Sequence, residues 1–372
     1  LLKDVVDIDI PDSELTAAMT GEVRAYNTQD LLVHLLRSGI APEGDAPRRL
    51  ALVIDDAHWM DSASWALFRQ IHKSGVPVLL VLAARPMGED TPPEYAGVRD
   101  APSTRRLVLA PFTRAETADL IAERLGARPV DELVQRIHDR ADGNPFFVHE
   151  MVLSLLEAGA LRVEGGVATL SVAATAGDSS SLPETVQGAI LARIDRLVPG
   201  HQLLLKVASV IGRAFDPDVL GRVHPVEADR PRVPEHLRAL AGLQLVAHRE
   251  PEPVYLFCQE TTREVAYDLL LFGQRRQIHR AVAEAIEAGT GATRAFDASL
   301  AHHWAAAGVV DRTLHYLDRA GDTALREGAY REAAECFREA LRLASEGAPD
   351  TQSRLAKWEY QLGEAEMGLG NL

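Results

Sequence analysis

The chain has 372 residues, more than one ordinary domain holds, so two to four domains are expected. Apolar residues make up 47% and charged ones 25%, while 39 basic against 54 acidic side chains leave a net charge of −15, which argues against a surface built to coat nucleic acid. No uncharged run reaches the roughly 18–20 residues of a membrane span, and the two cysteines, Cys258 and Cys336, fit neither a disulfide framework nor a zinc-ligand spacing, as in a reducing cytoplasm. The chain opens on Leu1-Leu2 without a signal pattern and stops at Gly370-Asn371-Leu372 inside a helical pattern. Both ends read as cuts, so a fragment of a longer cytoplasmic protein is expected.

In chain order, Asn27-Thr28 can cap a helix whose Leu31, Leu32, Leu35 and Leu36 fall at helical spacing. Leu50 to Ile54, Val76 to Ala84 and Leu107 to Leu109 are apolar runs separated by helical segments, the pattern of parallel strands covered on both faces. A doubly wound α/β layer is therefore expected over 1–113. From Arg114 helices take over through Leu156, forming a helical segment over 114–182, with Ala173 to Ser181 as a surface loop. Pro183 starts a further helix that Pro199-Gly200 stops. More helices follow, and the β-prone runs Leu243–His248 and Val254–Phe257 flank the turn Glu250-Pro251-Glu252-Pro253. Helices closed by a hairpin suggest a winged-helix unit over 183–280. Over 281–372 the spacing of Ala320, Gly321, Ala324, Ala333, Phe337 and Ala340, with Gly328 and Tyr330 between them, suggests degenerate tetratricopeptide-like repeats.

The most specific local feature is Leu50-Ala51-Leu52-Val53-Ile54-Asp55-Asp56, an apolar strand running into two carboxylates, as in a Walker B element. In that reading Asp55 holds a magnesium ion through water and Asp56 orients or deprotonates the attacking water. The alternative is a core strand ending in an acidic turn. His58, Trp59 and Asp61 after the acids, and Arg85 after the next strand, favour the first. His302-His303 and the Ser62/Ser64 pair give no metal or hydrolase pattern: neighbouring helical residues diverge by about 100°, and no G-x-S-x-G elbow occurs. The arginine pairs Arg105-Arg106 and Arg275-Arg276 read as solvated faces.

Asp55-Asp56-Ala57-His58-Trp59-Met60-Asp61 resembles the D-D-x-H-W-x-D signature of the STAND-type ATPases, the signal-transducing branch of the AAA-like P-loop proteins. The likeness continues in Asp142-Gly143-Asn144-Pro145-Phe146-Phe147-Val148-His149-Glu150, in Leu182 to Gln187, in Leu191 to Leu197, in Val207 to Phe215 and in Arg263 to Tyr267. The resemblance implies a partial P-loop sheet, a helical lid, a winged helix and a tetratricopeptide-like α-solenoid. It also implies ATP or ADP with Mg2+ as ligands, with Asp55 at the metal, Asp56 and Arg85 catalytic, Arg85 sensing the γ-phosphate, and Gly143, Asn144 and Pro145 at the adenine. Two groups carry this assembly: soluble-type class III adenylate/guanylate cyclases, with catalytic domains upstream, and large LuxR-type transcription regulators. Asp61 to Ala66, Phe257-Cys258-Gln259 and Gln274 to His279 lean to the former. A degenerate protein-binding scaffold is the third reading. Protein partners are expected at the repeats, and neither membrane nor nucleic acid.

Two departures stand out. The sequence holds no G-x-x-x-x-G-K-[ST] and no Gly-Lys pair, so the main triphosphate grip is missing and weak or absent ATP binding by this chain is expected. Gln259 stands where many relatives carry a histidine; it can hydrogen-bond but cannot become cationic.

Overall fold

The computed structural model describes residues 13–19, 21–40, 50–87, 93–171, 183–290, 296–346 and 352–370. The expected loop Ala173–Ser181, the motif residue Leu182 and the terminal residues Leu1-Leu2 and Asn371-Leu372 lie outside them. Where four segments are expected from sequence, contacts gather the chain into two compact units: Leu1–Leu107 with Thr290–Leu372, and Val108–Gly289.

The first unit opens with α1 (Glu14–Ala17) and α2 (Gly21–Ile40), then β1 (Leu50–Ile54), α3 (Ser62–Lys73), β2 (Val78–Leu82) and α4 (Pro93–Arg99). Asn27 and Thr28 do not cap α2; they lie inside it, with Asn27 Nδ2 donating to the Val23 carbonyl and Thr28 Oγ1 to that of Arg24. Capping residues can bond backward in this way inside a helix, so their identity alone does not mark its start. Strands β1 and β2 pair in parallel, Leu50 with Val78 through Ile54 with Leu82. One face packs Leu52, Val78 and Leu80 against Val33, Ile40, Ile71 and Val76 of the helices and the loop. The other face, Ala51, Val53, Leu79 and Val81, is exposed although wholly apolar. Leu107–Leu109 is exposed and in no strand, so the expected third strand is not formed.

The second unit carries α5 (Arg114–Leu125), β3 (Arg128–Pro129), α6 (Asp131–Ala141), α7 (Pro145–Glu157), β4 (Leu161–Glu164) and β5 (Val167–Leu170). Thr113 and Glu116 form a reciprocal capping box on α5. The hairpin β4–β5 turns on Gly165-Gly166, both at positive φ, and breaks the expected run of helices. Next come α8 (Val186–Asp195), α9 (Pro199–Ile211), β6 (Ala214–Phe215), α10 (Pro217–Val223), α11 (Val233–Gly242), β7 (Val246–Arg249), β8 (Val254–Phe257), α12 (Glu260–Asp268) and α13 (Phe272–Thr290). Pro199, expected as a stop, is the first residue of α9, where its missing N–H costs nothing. The hairpin β7–β8 forms as expected, with β6 added as a third antiparallel strand beside β8. Helices α8 to α13 and this sheet share one core that includes Ile190, Leu204, Leu237, Phe257 and Val282.

The first unit resumes with α14 (Asp297–Ala307), α15 (Val310–Glu327), α16 (Tyr330–Ser345) and α17 (Gln352–Gly368), each packed on the next. Small residues set the spacing. A Cβ on Gly321 would lie 2.6 Å from the Phe337 ring, and one on Gly368 2.6 Å from that of Tyr330. No helix among the described residues is long and apolar enough to cross a membrane.

Candidate functional site

The acid pair lies where the strand pair ends. Ile54 and Leu82 are partners in parallel register, so Asp55, Asp56 and, three residues past β2, Arg85 all leave the same carboxyl end. That is the end at which open parallel sheets expose their ligand crevice. Two backbone bonds seal the turn: Ala83 N–H donates to the Ile54 carbonyl at 2.9 Å, and Ala57 N–H to the Ala83 carbonyl at 2.8 Å. Asp55 is exposed, and one of its oxygens accepts the Asp56 amide at 3.0 Å. Asp56 sits in the left-handed region, φ 52° and ψ 38°, a conformation a non-glycine residue adopts only when its surroundings hold it there. Arg85 is exposed.

Past the acids, Ala57–Trp59 makes one 3₁₀ turn. The His58 imidazole lies tilted at 40° to the indole of Trp59, ring centroids 5.2 Å apart, and Trp59 stands 76% exposed. Both His58 ring nitrogens are shielded from solvent without a hydrogen-bond partner among the described residues, an arrangement that costs stability. Asp61 then caps α3, its carboxylate accepting the Ser64 amide at 2.6 Å.

Gly143, Asn144 and Pro145 belong to the second unit, at the turn from α6 to α7. Gly143 has φ +66°, and a Cβ there would lie 2.4 Å from the Phe112 carbonyl oxygen; the Phe112 amide in turn donates to the Gly143 carbonyl at 2.7 Å. Asn144 is the N-cap of α7, its side chain accepting the Phe147 amide, and Pro145 is the first helical residue. The same helix carries a buried charge network that sequence reading did not single out. Arg193 of α8 donates to Glu150 at 2.8 Å, to Glu157 at 3.0 Å and to the Leu243 carbonyl at 2.7 Å. Burial pushes the Glu150 carboxyl up, but hydrogen bonds from His149 and the Arg193 guanidinium outweigh it and hold the group below its ordinary range. Both residues stand in motifs quoted above; their pairing is invisible in sequence because 43 positions separate them. Gln259 is exposed at the start of α12.

Parts of this chain are similar to known proteins. A family profile described as a domain of unknown function (DUF8739) matches residues 113–169, from the cap of α5 to β5. Adenylate cyclase type 10 of Rattus norvegicus is 21% identical over 261 residues, 60% of this chain and 16% of the cyclase. The crystal structure of a STAND (signal transduction ATPase with numerous domains) protein with a tetratricopeptide repeat sensor, from Pyrococcus horikoshii, superposes with a TM-score of 0.51 at 13% identity, covering 93% of this chain and 49% of that one. The chain thus spans about half the length of that structure and a sixth of the cyclase. In fold it resembles a STAND protein with a tetratricopeptide sensor: mostly helical, with small sheets.

Proposed function

We propose that the chain is the regulatory nucleotide-binding switch of a signal-transduction protein, with an ATPase site at the carboxyl rim of β1 and β2. The observation that carries it is the placement of Asp55, Asp56 and Arg85 at one end of a parallel strand pair. In this reading β1 and β2 belong to a P-loop sheet, α5 to β5 to its lid, α8 to α12 with the three-stranded sheet to a winged helix, and α14 to α17 to tetratricopeptide-like repeats that receive a protein partner. Asp55 would hold Mg2+ through water, Asp56 would orient or deprotonate the attacking water, and Arg85 would stabilise charge on the γ-phosphate. Bound Mg2+·ATP supplies the phosphoanhydride and the charge to be neutralised. The phosphate cradle, a glycine-rich loop with a lysine, would come from outside this sequence. The likeness to a rat adenylate cyclase supports a class III adenylate/guanylate cyclase as the parent, with its catalytic domains beyond this chain.

The test is calorimetric titration of a non-hydrolysable ATP analogue into the full-length protein, with and without Mg2+. Asp55→Asn should weaken the Mg2+-dependent binding at least about tenfold, the scale of one charge-assisted contact, and leave Mg2+-free binding unchanged. Equal binding by Asp55→Asn and the native protein would overturn the assignment.

A further inference from the structure

The turn that carries the acids is held at both ends, and the second anchor comes from far away in sequence. At its start Ala57 is fully buried and bonded to the end of β2. At its far end the Glu332 carboxylate, from α16, accepts the Ser62 amide on Oε1 at 3.0 Å and the Ser62 hydroxyl on Oε2 at 2.5 Å. Ser62 is the first residue of α3. Its amide is one of the four that a helix cannot satisfy internally. Asp61 covers the Ser64 amide from within the turn, and Glu332 covers Ser62 from outside. Two carboxylates thus meet the positive end of α3, the end where negative charge is favourable.

The helix before β1 grips the same hairpin. A Cβ on Gly21 of α2 would fall 2.9 Å from the Leu325 carbonyl oxygen, and one on Gly328, between α15 and α16, would fall 2.5 Å from the Ala25 Cβ. Both helices flanking β1 therefore seat on the turn between α15 and α16, one by backbone contact and one by the Glu332 cap.

We infer that Glu332 is a positioning residue that couples the α15–α16 hairpin to the acid-bearing turn, so that a partner shifting this hairpin loosens residues 55–62. The coupling stands on contacts in the first unit alone; only its consequence for a nucleotide rests on the function proposed above.

The test is residue-resolved amide hydrogen exchange on the full chain without nucleotide, so its outcome is independent of any ATP binding. Ser62 is diagnostic, because with Glu332 gone its amide has no acceptor within α3. In Glu332→Ala the Ser62 amide should exchange at least about tenfold faster, the scale of a lost hydrogen bond to a charged group. Ala57 should quicken by a smaller factor, while Leu52, Leu80 and the amides of 186–195 keep native rates. Glu332→Gln, which retains one acceptor and the side-chain volume, should quicken Ser62 less. It replaces Glu332→Ala if that variant fails to fold. Unchanged Ser62 exchange, a change at Ser62 that leaves Ala57 at its native rate, or an equal rise across the whole first unit would each overturn the coupling.

Discussion

Removing Arg193 should do more to the second unit than any substitution on its surface. The guanidinium is 2% exposed and its partner Glu150 4%, so the pair is desolvated. Arg193→Leu strips the Glu150 carboxylate of its guanidinium partner and leaves it only the long 3.4 Å contact with the His149 ring among the contacts described. Breaking a buried ion pair in this way costs about 3–5 kcal/mol. The contact with Glu157 adds little, since that group is partly solvated, and the loss of the donor to the Leu243 carbonyl adds roughly 1 kcal/mol, offset in part by the leucine. The four tryptophans, Trp59, Trp65, Trp304 and Trp358, all lie in the first unit, so fluorescence is blind to this change. Amide exchange at Ile190 and Ile194, both buried, reads it instead, and 3–5 kcal/mol corresponds to roughly a hundred- to several-thousand-fold faster exchange. Replacing both partners removes the stranded charge, so Arg193→Leu with Glu150→Leu should recover much of the loss. The sign with pH is fixed by Glu150, whose folded value lies below the ordinary 4.5. Its contribution is fully present above that value and is lost as pH falls through the depressed one. A single variant costing under about 1 kcal/mol, or a double variant at least as unstable as the single, would refute this account.

Two further outcomes concern the helices at the C-terminal end. Gly321→Ala pushes a methyl group into the Phe337 ring and should cost about 1–3 kcal/mol by overpacking, measured by urea unfolding followed at the buried Trp358. Asp318 accepts from Trp358 Nε1 at 2.7 Å and from Lys357 at 2.9 Å; burial raises its carboxyl, but these bonds and Arg354 hold it below the ordinary 3.8. The packing of α17 on α15 should therefore weaken as pH falls through that depressed value, and Asp318→Asn should remove most of this acid step in the same fluorescence assay.

How much of this was legible in the sequence depended on what each signal measures. Strands β1 and β2 were, because an unbroken apolar run bounded by polar residues has few other uses. So was the close approach at Gly321, because a small residue at a repeat seam needs no partner to be identified. Leu107–Leu109 misled: three apolar residues satisfy a strand pattern, but without a bonded neighbour they form no strand and stay exposed. The β4–β5 hairpin was missed although Gly165-Gly166 between two short runs is a hairpin signal. Strand β6 is two residues long and owes its existence to β8, so no local pattern could have shown it. The Arg193 and Glu332 contacts are tertiary, and their sequence separation hides them.

Gly143 shows why a motif residue must be separated from the role its motif implies. The resemblance gives this glycine the task of letting a nucleotide approach the backbone. In the fold the same glycine is already required twice over, by a positive φ of 66° and by the Phe112 carbonyl 2.4 Å from where a Cβ would stand. Asn144 is likewise engaged as the cap of α7, and capping residues are worth about 1 kcal/mol whatever lies beyond them. Loss of activity on substituting either would follow from a displaced α6–α7 turn with no nucleotide involved. Pro145 is different: it occupies the first helical position, where another residue is tolerated at small cost, so its side chain is the one of the three whose removal leaves the turn standing. The weight of the nucleotide reading therefore rests on Asp55, exposed at the strand end and bonded only to its neighbour's amide among the contacts described. There a change of charge without a change of shape alters the chemistry and spares the fold.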